Sequence, residues 1–202
     1  MEQKVKPSPR LAPLPADHIP ELGAIFEATK QRMGFVPNSM LIMQRKPRLV
    51  KAFAELGDAV RSDLKIDRML MSLISHVASR AAGCLYCMAH TAEGAAKAKP
   101  EKLEAVWEYR TSPLFTEAER VALDFAVAAA SVPNGVTDDM FAELRKYYTE
   151  EQVLDIVAVI SLFGWLNRWN DTMGTPLEDE PIEYGERYLG PHGWTPGKHA
   201  PR

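Results

Sequence analysis

Apolar residues recur at helical spacing along most of this chain, and no stretch alternates between apolar and polar residues for long enough to predict a strand. Residues 69–82 form one long apolar stretch, and residues 153 to about 172 form a second. Further helices are predicted over about 20–33, 38–45, 47–60, 84–97, 101–109, 121–130 and after Thr137. The pattern therefore predicts an all-α fold.

Several polar residues mark where these helices begin. Asp67 precedes the first long helix as a predicted N-cap, and Thr137 precedes a shorter one. Thr116 and Thr149 each stand three residues before a Glu or Gln, which is the spacing of a capping box. Gly34 is expected to end the first helix, because glycine readily adopts the left-handed conformation of a helix C-terminus. The caps support the helical interpretation.

Proline and glycine separate the helical region from both ends of the chain. Five prolines fall within the first 20 residues, and proline removes an amide donor and fixes φ, so residues 1–19 are expected to form an extended arm. Residues 175–202 are rich in proline, glycine and aromatic residues and are expected to form an irregular tail. Such a tail would lie on its own domain or wrap a neighbouring subunit. The helical domain is thus predicted over 20–174.

The helical region contains a faint internal similarity. Aligning residues 69–76 with 152–159 places Cys84 over Asn167 and Cys87 over Asn170. The sequence Phe-Ala-Glu-Leu also occurs upstream of each segment, but its offsets to the two segments differ by five residues. Two degenerate helical repeats would explain the similarity, and so would chance resemblance between helices.

Charge and hydropathy exclude some classes of function. The formal net charge is -3, and the Lys and Arg residues are scattered, so no basic patch for nucleic acid is expected. The apolar run over 153–166 is shorter than the roughly 20 residues that span a bilayer. The N-terminal residues lack the apolar segment of a secretory signal. We therefore expect a cytoplasmic protein that binds neither nucleic acid nor membranes.

Both cysteines of the chain lie in one C-x-x-C pair, Cys84 and Cys87, which follows Gly83 at a predicted helix start. Side chains three residues apart on a helix are roughly 5–6 Å apart at Cβ, so a small adjustment allows a disulfide. A helix N-terminus favours the thiolate form of cysteine. His90 lies one turn beyond Cys87 and could act as its base. The segment predicts a redox-active dithiol.

Two other interpretations of these residues remain open. Cys84, Cys87 and His90 would supply three ligands to zinc, with His76 as a fourth, although no second pair of ligands stands at motif spacing. Buried cysteines, and a histidine such as His76 on an apolar helix, are also common in ordinary protein cores.

The segment Gly83-Cys84-Leu85-Tyr86-Cys87, followed by His-Thr and preceded by a long apolar helix, resembles the carboxymuconolactone decarboxylase and alkylhydroperoxidase D (AhpD-like) superfamily. The core of the resemblance covers about 45–110. The chain length, the proline-rich start and the segment 167–170 are similar to the longer peroxidase-related members. The resemblance implies an AhpD-like helical bundle that assembles as a homo-oligomer.

The resemblance also implies an activity and a role for each site residue. Cys87 would attack a hydroperoxide and become a sulfenic acid, Cys84 would resolve it to a disulfide, and His90 would transfer protons. The implied enzyme is an alkylhydroperoxidase-like antioxidant peroxidase with peroxiredoxin-type activity and no cofactor beyond the cysteine pair. An external dithiol protein, lipoylated or of the thioredoxin type, would reduce the disulfide.

The chain departs from the family pattern at the proton-transfer residues. Thr91 occupies the position of the family histidine, and His90 stands one residue earlier, which turns its side chain by about 100° around the helix. The family glutamate falls on Ser72, which has no carboxylate. His76, or Asp155 from a facing helix, could take the role of that glutamate.

Two alternative functions therefore stand beside the peroxidase. The other branch of the superfamily contains lyases and isomerases that act on lactone acids without using a dithiol. A non-catalytic zinc-binding or interaction module is the second alternative.

Overall fold

The computed structural model describes residues 10–201, in which ten α-helices and no strand are found. The helices are α1 (Gly23–Met33), α2 (Asn38–Met43), α3 (Pro47–Arg61), α4 (Arg68–Ala81), α5 (Leu85–Ala98), α6 (Pro100–Glu104), α7 (Glu117–Ala130), α8 (Asp138–Tyr147), α9 (Glu150–Met173) and α10 (Asp179–Tyr184). Short 3₁₀ turns cover Pro20–Leu22, Ala105–Glu108, Gly190–His192 and Gly197–His199, and a π-helical turn covers Gly185–Leu189. The all-α prediction is confirmed.

Helix α4 lies at the centre of the bundle and packs against α5, α7 and α9. Its side chains Leu73, Ile74 and Val77 are completely buried. Burial of apolar surface is the main favourable term in folding, so this helix organises the packing of its neighbours. Helix α5, which carries the cysteine pair, lies between α4, α9 and α10.

A smaller apolar cluster joins α1, α2 and α3 to the second half of α9. Phe26, Met43 and Val50 are buried in it. Trp165 of α9 stacks on Phe53 of α3, with ring centroids 4.9 Å apart. These contacts hold the three N-terminal helices close to α9, and a cavity next to the cysteines lies between them.

The predicted helix caps are confirmed. The Asp67 side chain accepts a hydrogen bond from the amide of Leu70, and Thr116 and Thr149 both form complete capping boxes. Gly34 ends α1 with φ at 85°, in the left-handed region that favours glycine.

Residues 10–19 contain no helix or strand, in agreement with the predicted arm. They pack on α2 and the turn after it through hydrogen bonds from Arg45 Nη2 to the Ala12 carbonyl (2.8 Å) and from Gln44 Nε2 to the Pro15 carbonyl (3.1 Å). The first nine residues of the predicted arm lie outside the described residues.

The prediction of an irregular tail from residue 175 onwards is wrong for much of its length. The tail forms α10 and then a series of helical turns, and α10 packs on α5 of the same chain. Trp194 is buried and donates a hydrogen bond from Nε1 to the Leu85 carbonyl (3.1 Å). A six-residue helix is unstable alone, so these tertiary contacts account for helix α10, which local sequence did not reveal.

The two segments of the proposed repeat follow different courses. The aligned stretch 69–87 is divided between α4 and α5, whereas its counterpart 152–170 lies within the unbroken helix α9. The repeat itself stays a prediction.

Among residues 10–201, no helix is long and apolar enough to cross a membrane.

Candidate functional site

A tight turn between α4 and α5 sets the position of the cysteine pair. Gly83 has φ at 69°, a conformation that strains any residue with a side chain. The Cys84 amide donates back to the Ser79 carbonyl (3.1 Å), and Cys84 then becomes the N-cap of α5. Both cysteines therefore lie in the first turn of a helix that starts at a glycine-dependent bend.

Cys84 and Cys87 are free thiols, and both are buried. The Cys87 amide donates to Cys84 Sγ at 3.4 Å. A hydrogen bond from the Cys87 thiol, together with this amide, outweighs burial and lowers the pKa of Cys84. Burial, and the proton that it shares with Cys84, raise the pKa of Cys87 well above its ordinary value. Cys84 is therefore the sulfur of the pair that ionises more readily.

Asn170 of α9 provides a polar contact to the second cysteine. Its Nδ2 donates to Cys87 Sγ at 3.6 Å and favours the ionised form of that sulfur. Its Oδ1 accepts a hydrogen bond from the Thr175 hydroxyl (2.9 Å), which orients the amide so that the nitrogen faces the sulfur. Sequence analysis paired Asn170 with Cys87 only through the repeat alignment and did not predict it as a site residue.

His90 belongs to a hydrogen-bonded group with Tyr86 and Glu178. His90 Nε2 lies 2.8 Å from Glu178 Oε2, and the Tyr86 hydroxyl donates to Glu178 Oε1 (2.9 Å). The Tyr86 and His90 rings pack together with centroids 4.3 Å apart. The backbone amide of Asn38 also donates to Glu178. The carboxylate thus holds both the tyrosine and the histidine in place.

Glu178 carries its negative charge although it is buried. Burial opposes ionisation, but His90 and the hydrogen bonds from His90 and the Asn38 amide more than compensate and hold the pKa of Glu178 below its usual value. Sequence reasoning missed this residue, since it lies 88 positions from His90 in a segment that was predicted to be irregular. The run of acidic residues at 178–180 is a signal, but nothing in it indicates which side chain turns inward.

Ser72 stands at the position of the family glutamate, and His76 and Asp155 were the predicted replacements for it. The structure shows where each of these residues lies. Ser72 lines the cavity beside Cys87, and its hydroxyl donates to the Arg68 carbonyl (3.0 Å). His76 is completely buried in α4 with Nδ1 3.0 Å from the Thr91 hydroxyl, and burial lowers the pKa of His76 to about 4.

Asp155 does not point into the site. Its carboxylate accepts hydrogen bonds from the backbone amides of Lys65 and Ile66, and so holds the turn before α4. The carboxylate that contacts His90 therefore comes from Glu178 in the tail. Arg80, one turn before Cys84 in the sequence, lies over the Trp107 ring at 4.8 Å.

A cavity of about 300 Å³ opens beside Cys87. Its polar lining includes Cys87, Tyr86, His90 and Asn170, whereas Cys84 is absent from the lining. Most of the remaining wall is apolar and comes from α2, α3, α4 and α9. A small molecule in the cavity would therefore meet the sulfur of Cys87 first, with Cys84 behind it.

Cys84, Cys87, His90 and His76 are the four residues considered as zinc ligands. Within residues 10–201, no group of three or more His, Cys, Asp and Glu side chains is arranged to hold a metal ion.

Comparisons with known proteins place the chain among related sequences and structures. The model of the carboxymuconolactone decarboxylase family matches residues 47–128, a range that includes both cysteines and His90. The uncharacterized protein YnjA of Escherichia coli K12 is 31% identical over 132 residues, which are 64% of this chain and 71% of YnjA.

Solved structures are similar over most of the chain. A crystal structure of the C82A variant of the debrominase Bmp8 with 2,3,4-tribromopyrrole has a TM-score of 0.83 and 34% identity, covering 88% of this chain and 96% of that one. A peroxidase-related protein from Ralstonia eutropha JMP134 has a TM-score of 0.72 and 24% identity, covering 85% and 94%, and at that identity the likeness concerns the fold. From the family model and the relative YnjA, we conclude that the chain belongs to the carboxymuconolactone decarboxylase family.

Proposed function

We propose that this protein is a thiol oxidoreductase that reduces organic hydroperoxides with the Cys84 and Cys87 pair. The observation that carries the proposal is the arrangement of the two sulfurs. The Cys84 sulfur accepts a hydrogen bond from the Cys87 amide at the start of α5, and Cys87 lines an apolar cavity. Two neighbouring thiols can donate two electrons to a substrate that reaches only the outer sulfur, because the pair then becomes a disulfide.

The first step is attack of Cys87 on the hydroperoxide. The Cys87 thiol passes its proton to the Cys84 thiolate, and the resulting Cys87 thiolate attacks the terminal oxygen of the O–O bond. That bond breaks, Cys87 becomes a sulfenic acid, and the departing alkoxide takes a proton from a protonated His90. Glu178 orients the His90 ring for this transfer, because its carboxylate lies 2.8 Å from the ring nitrogen. Asn170 stabilises the charge on Cys87.

The second step forms the disulfide. The Cys84 sulfur attacks the Cys87 sulfenic acid, and the hydroxide that leaves combines with the Cys84 proton to form water. The overall change converts two thiols and one hydroperoxide to a disulfide, an alcohol and water. A dithiol protein, lipoylated or of the thioredoxin type, would then return the pair to its reduced form by thiol exchange.

Single-turnover chemistry tests this proposal. Reduced protein should consume about one equivalent of hydroperoxide per subunit and lose both free thiols. The Cys87→Ser variant should consume none, and Cys84→Ser should accumulate a sulfenic acid on Cys87 that a dimedone-type reagent traps. An unchanged thiol titre after peroxide would refute the proposal. Trapping on Cys84 in the Cys87→Ser variant would reverse the roles of the two cysteines.

Reductive dehalogenation is a second candidate, favoured by the similarity to the debrominase Bmp8 over most of both chains. The same dithiol could replace a C–Br bond with C–H: the two thiols supply two electrons, one thiol proton reaches the carbon, and bromide and the other proton are released. The cavity wall, which includes Met40, Met71 and Phe163, suits a polarisable aromatic ring.

Parallel assays separate the two candidates. The reduced protein is mixed with a brominated pyrrole or with cumene hydroperoxide, and released bromide, the dehalogenated product and consumed peroxide are measured. Bromide release that requires Cys87 and is faster than peroxide consumption would favour dehalogenation.

A further inference from the structure

Two arginines line the same cavity as Cys87. Arg61 lies at the C-terminal end of α3, and Arg32 lies near the end of α1. Phe53, Leu162 and other apolar side chains form most of the surrounding wall. Positive charge beside an apolar wall is unfavourable unless a partner compensates it, so the arginines call for an explanation.

The charge of Arg61 is only partly compensated by the protein. Its Nε is buried, and within the described residues it has no hydrogen-bond partner. Burial, followed by repulsion from Arg32, lowers the pKa of Arg61 to about 10, and attraction to Asp58 one turn earlier opposes this only in part. At neutral pH the guanidinium is therefore charged and can accept an anionic partner.

The backbone of α3 provides space for this guanidinium. A Cβ atom at Gly57 would lie 2.5 Å from Arg61 Nη2, which is closer than atoms approach in folded proteins. Glycine is a poor residue for the interior of a helix. Its presence at position 57 therefore allows the guanidinium to lie against the helix, where any larger residue would displace it.

We propose that Arg61, assisted by the exposed Arg32, binds an anionic group of the substrate, while the apolar wall holds its hydrocarbon or aromatic part next to Cys87. The anion would be a carboxylate or an ionised acidic group of similar size, since a guanidinium can bind two oxygens of such a group at once. The substrate class is therefore an amphipathic organic anion. This inference rests on the proposed function only for the reaction that follows binding.

Binding measurements without turnover test the inference. The probes are 4-phenylbutanoate and its neutral amide, which differ in charge but little in shape, titrated calorimetrically into reduced protein. Wild-type protein should bind the carboxylate at least about tenfold more tightly than the amide, in line with a charge-assisted hydrogen bond. Arg61→Gln should remove this preference. Arg48→Gln is the control, because Arg48 is an exposed arginine of α3 outside the cavity.

A second variant tests the geometry while keeping the charge. Gly57→Ala should displace the Arg61 guanidinium and reduce the preference for the carboxylate, although every arginine remains. Failure of the carboxylate to bind, equal affinity for the two probes, or a preference that persists in Arg61→Gln would each overturn the inference. These outcomes are independent of peroxide consumption or bromide release, so failure of the proposed reaction is recognised separately.

Discussion

Replacing Glu178 with Gln tests the central electrostatic feature of the site. Glutamine keeps the size of the side chain and can still accept the Tyr86 hydrogen bond, but it removes the charge that faces His90. The His90 and Glu178 side chains are only 11% and 12% exposed, so solvent screens their interaction weakly. A hydrogen bond to a charged group contributes about 1.5–3 kcal/mol. We therefore expect Glu178→Gln to lower the free energy of unfolding by about 2 kcal/mol at neutral pH.

The pH dependence of this loss gives a sharper test. The pKa of Glu178 is lower in the folded protein than its ordinary value, so its contribution to stability is complete above that ordinary value, roughly 4.3. The contribution disappears as the pH falls through the lower folded value. The difference in free energy of unfolding between wild-type and Glu178→Gln protein should therefore be largest at neutral pH and disappear under strongly acidic conditions.

Urea unfolding at several pH values and single-turnover peroxide consumption are the assays. Because His90 would lose its charged partner, peroxide consumption should slow by about tenfold or more. Glu183→Gln is the matched control, since Glu183 is an exposed carboxylate on α10. If Glu178→Gln matches this control in stability and rate, or if its stability deficit is independent of pH, Glu178 has no such electrostatic role.

Three further predictions concern the surroundings of the site. His76 is buried, and its pKa of about 4 lies below the ordinary value of 6.5. The free energy of unfolding of wild-type protein should therefore fall by about 3 kcal/mol as the pH is lowered from about 6.5 to about 4. Denaturant titrations at each pH should show a flatter profile for His76→Gln. A Cβ at Gly185 would lie 2.6 Å from the Trp194 ring, so Gly185→Ala should lower the free energy of unfolding by about 1–3 kcal/mol and increase proteolysis of the tail, measured against wild-type protein. The Cys87 thiol lowers the pKa of Cys84, so Cys87→Ala should shift the ultraviolet thiolate titration of Cys84 to higher pH, and an unshifted titration would contradict the shared proton.

Local sequence was sufficient to predict helices α1 to α9 and the position of the dithiol. Helical periodicity and capping residues such as Asp67 and Thr149 depend on neighbours three or four positions away, and the structure confirms them. The predicted helix start after Gly83 is also found, and Gly83 has a positive φ in the bend between α4 and α5. Cys84 and Cys87 are close because they share one helical turn, so their contact follows from spacing alone.

Sequence alone could not identify Glu178 and Asn170 as the polar neighbours of His90 and Cys87. Glu178 reaches His90 only because the tail folds back and α10 packs on α5, and Asn170 reaches Cys87 only because α9 lies beside α5. Periodicity does not report such contacts, because they are decided by how helix faces pack across the core. Packing also decided that Cys87, rather than Cys84, lines the cavity, and that Arg61 lies in the same wall. The sequence thus determined helices α1 to α9 and the cysteine pair, whereas tertiary packing determined helix α10, the polar partners of the site and the cavity beside Cys87.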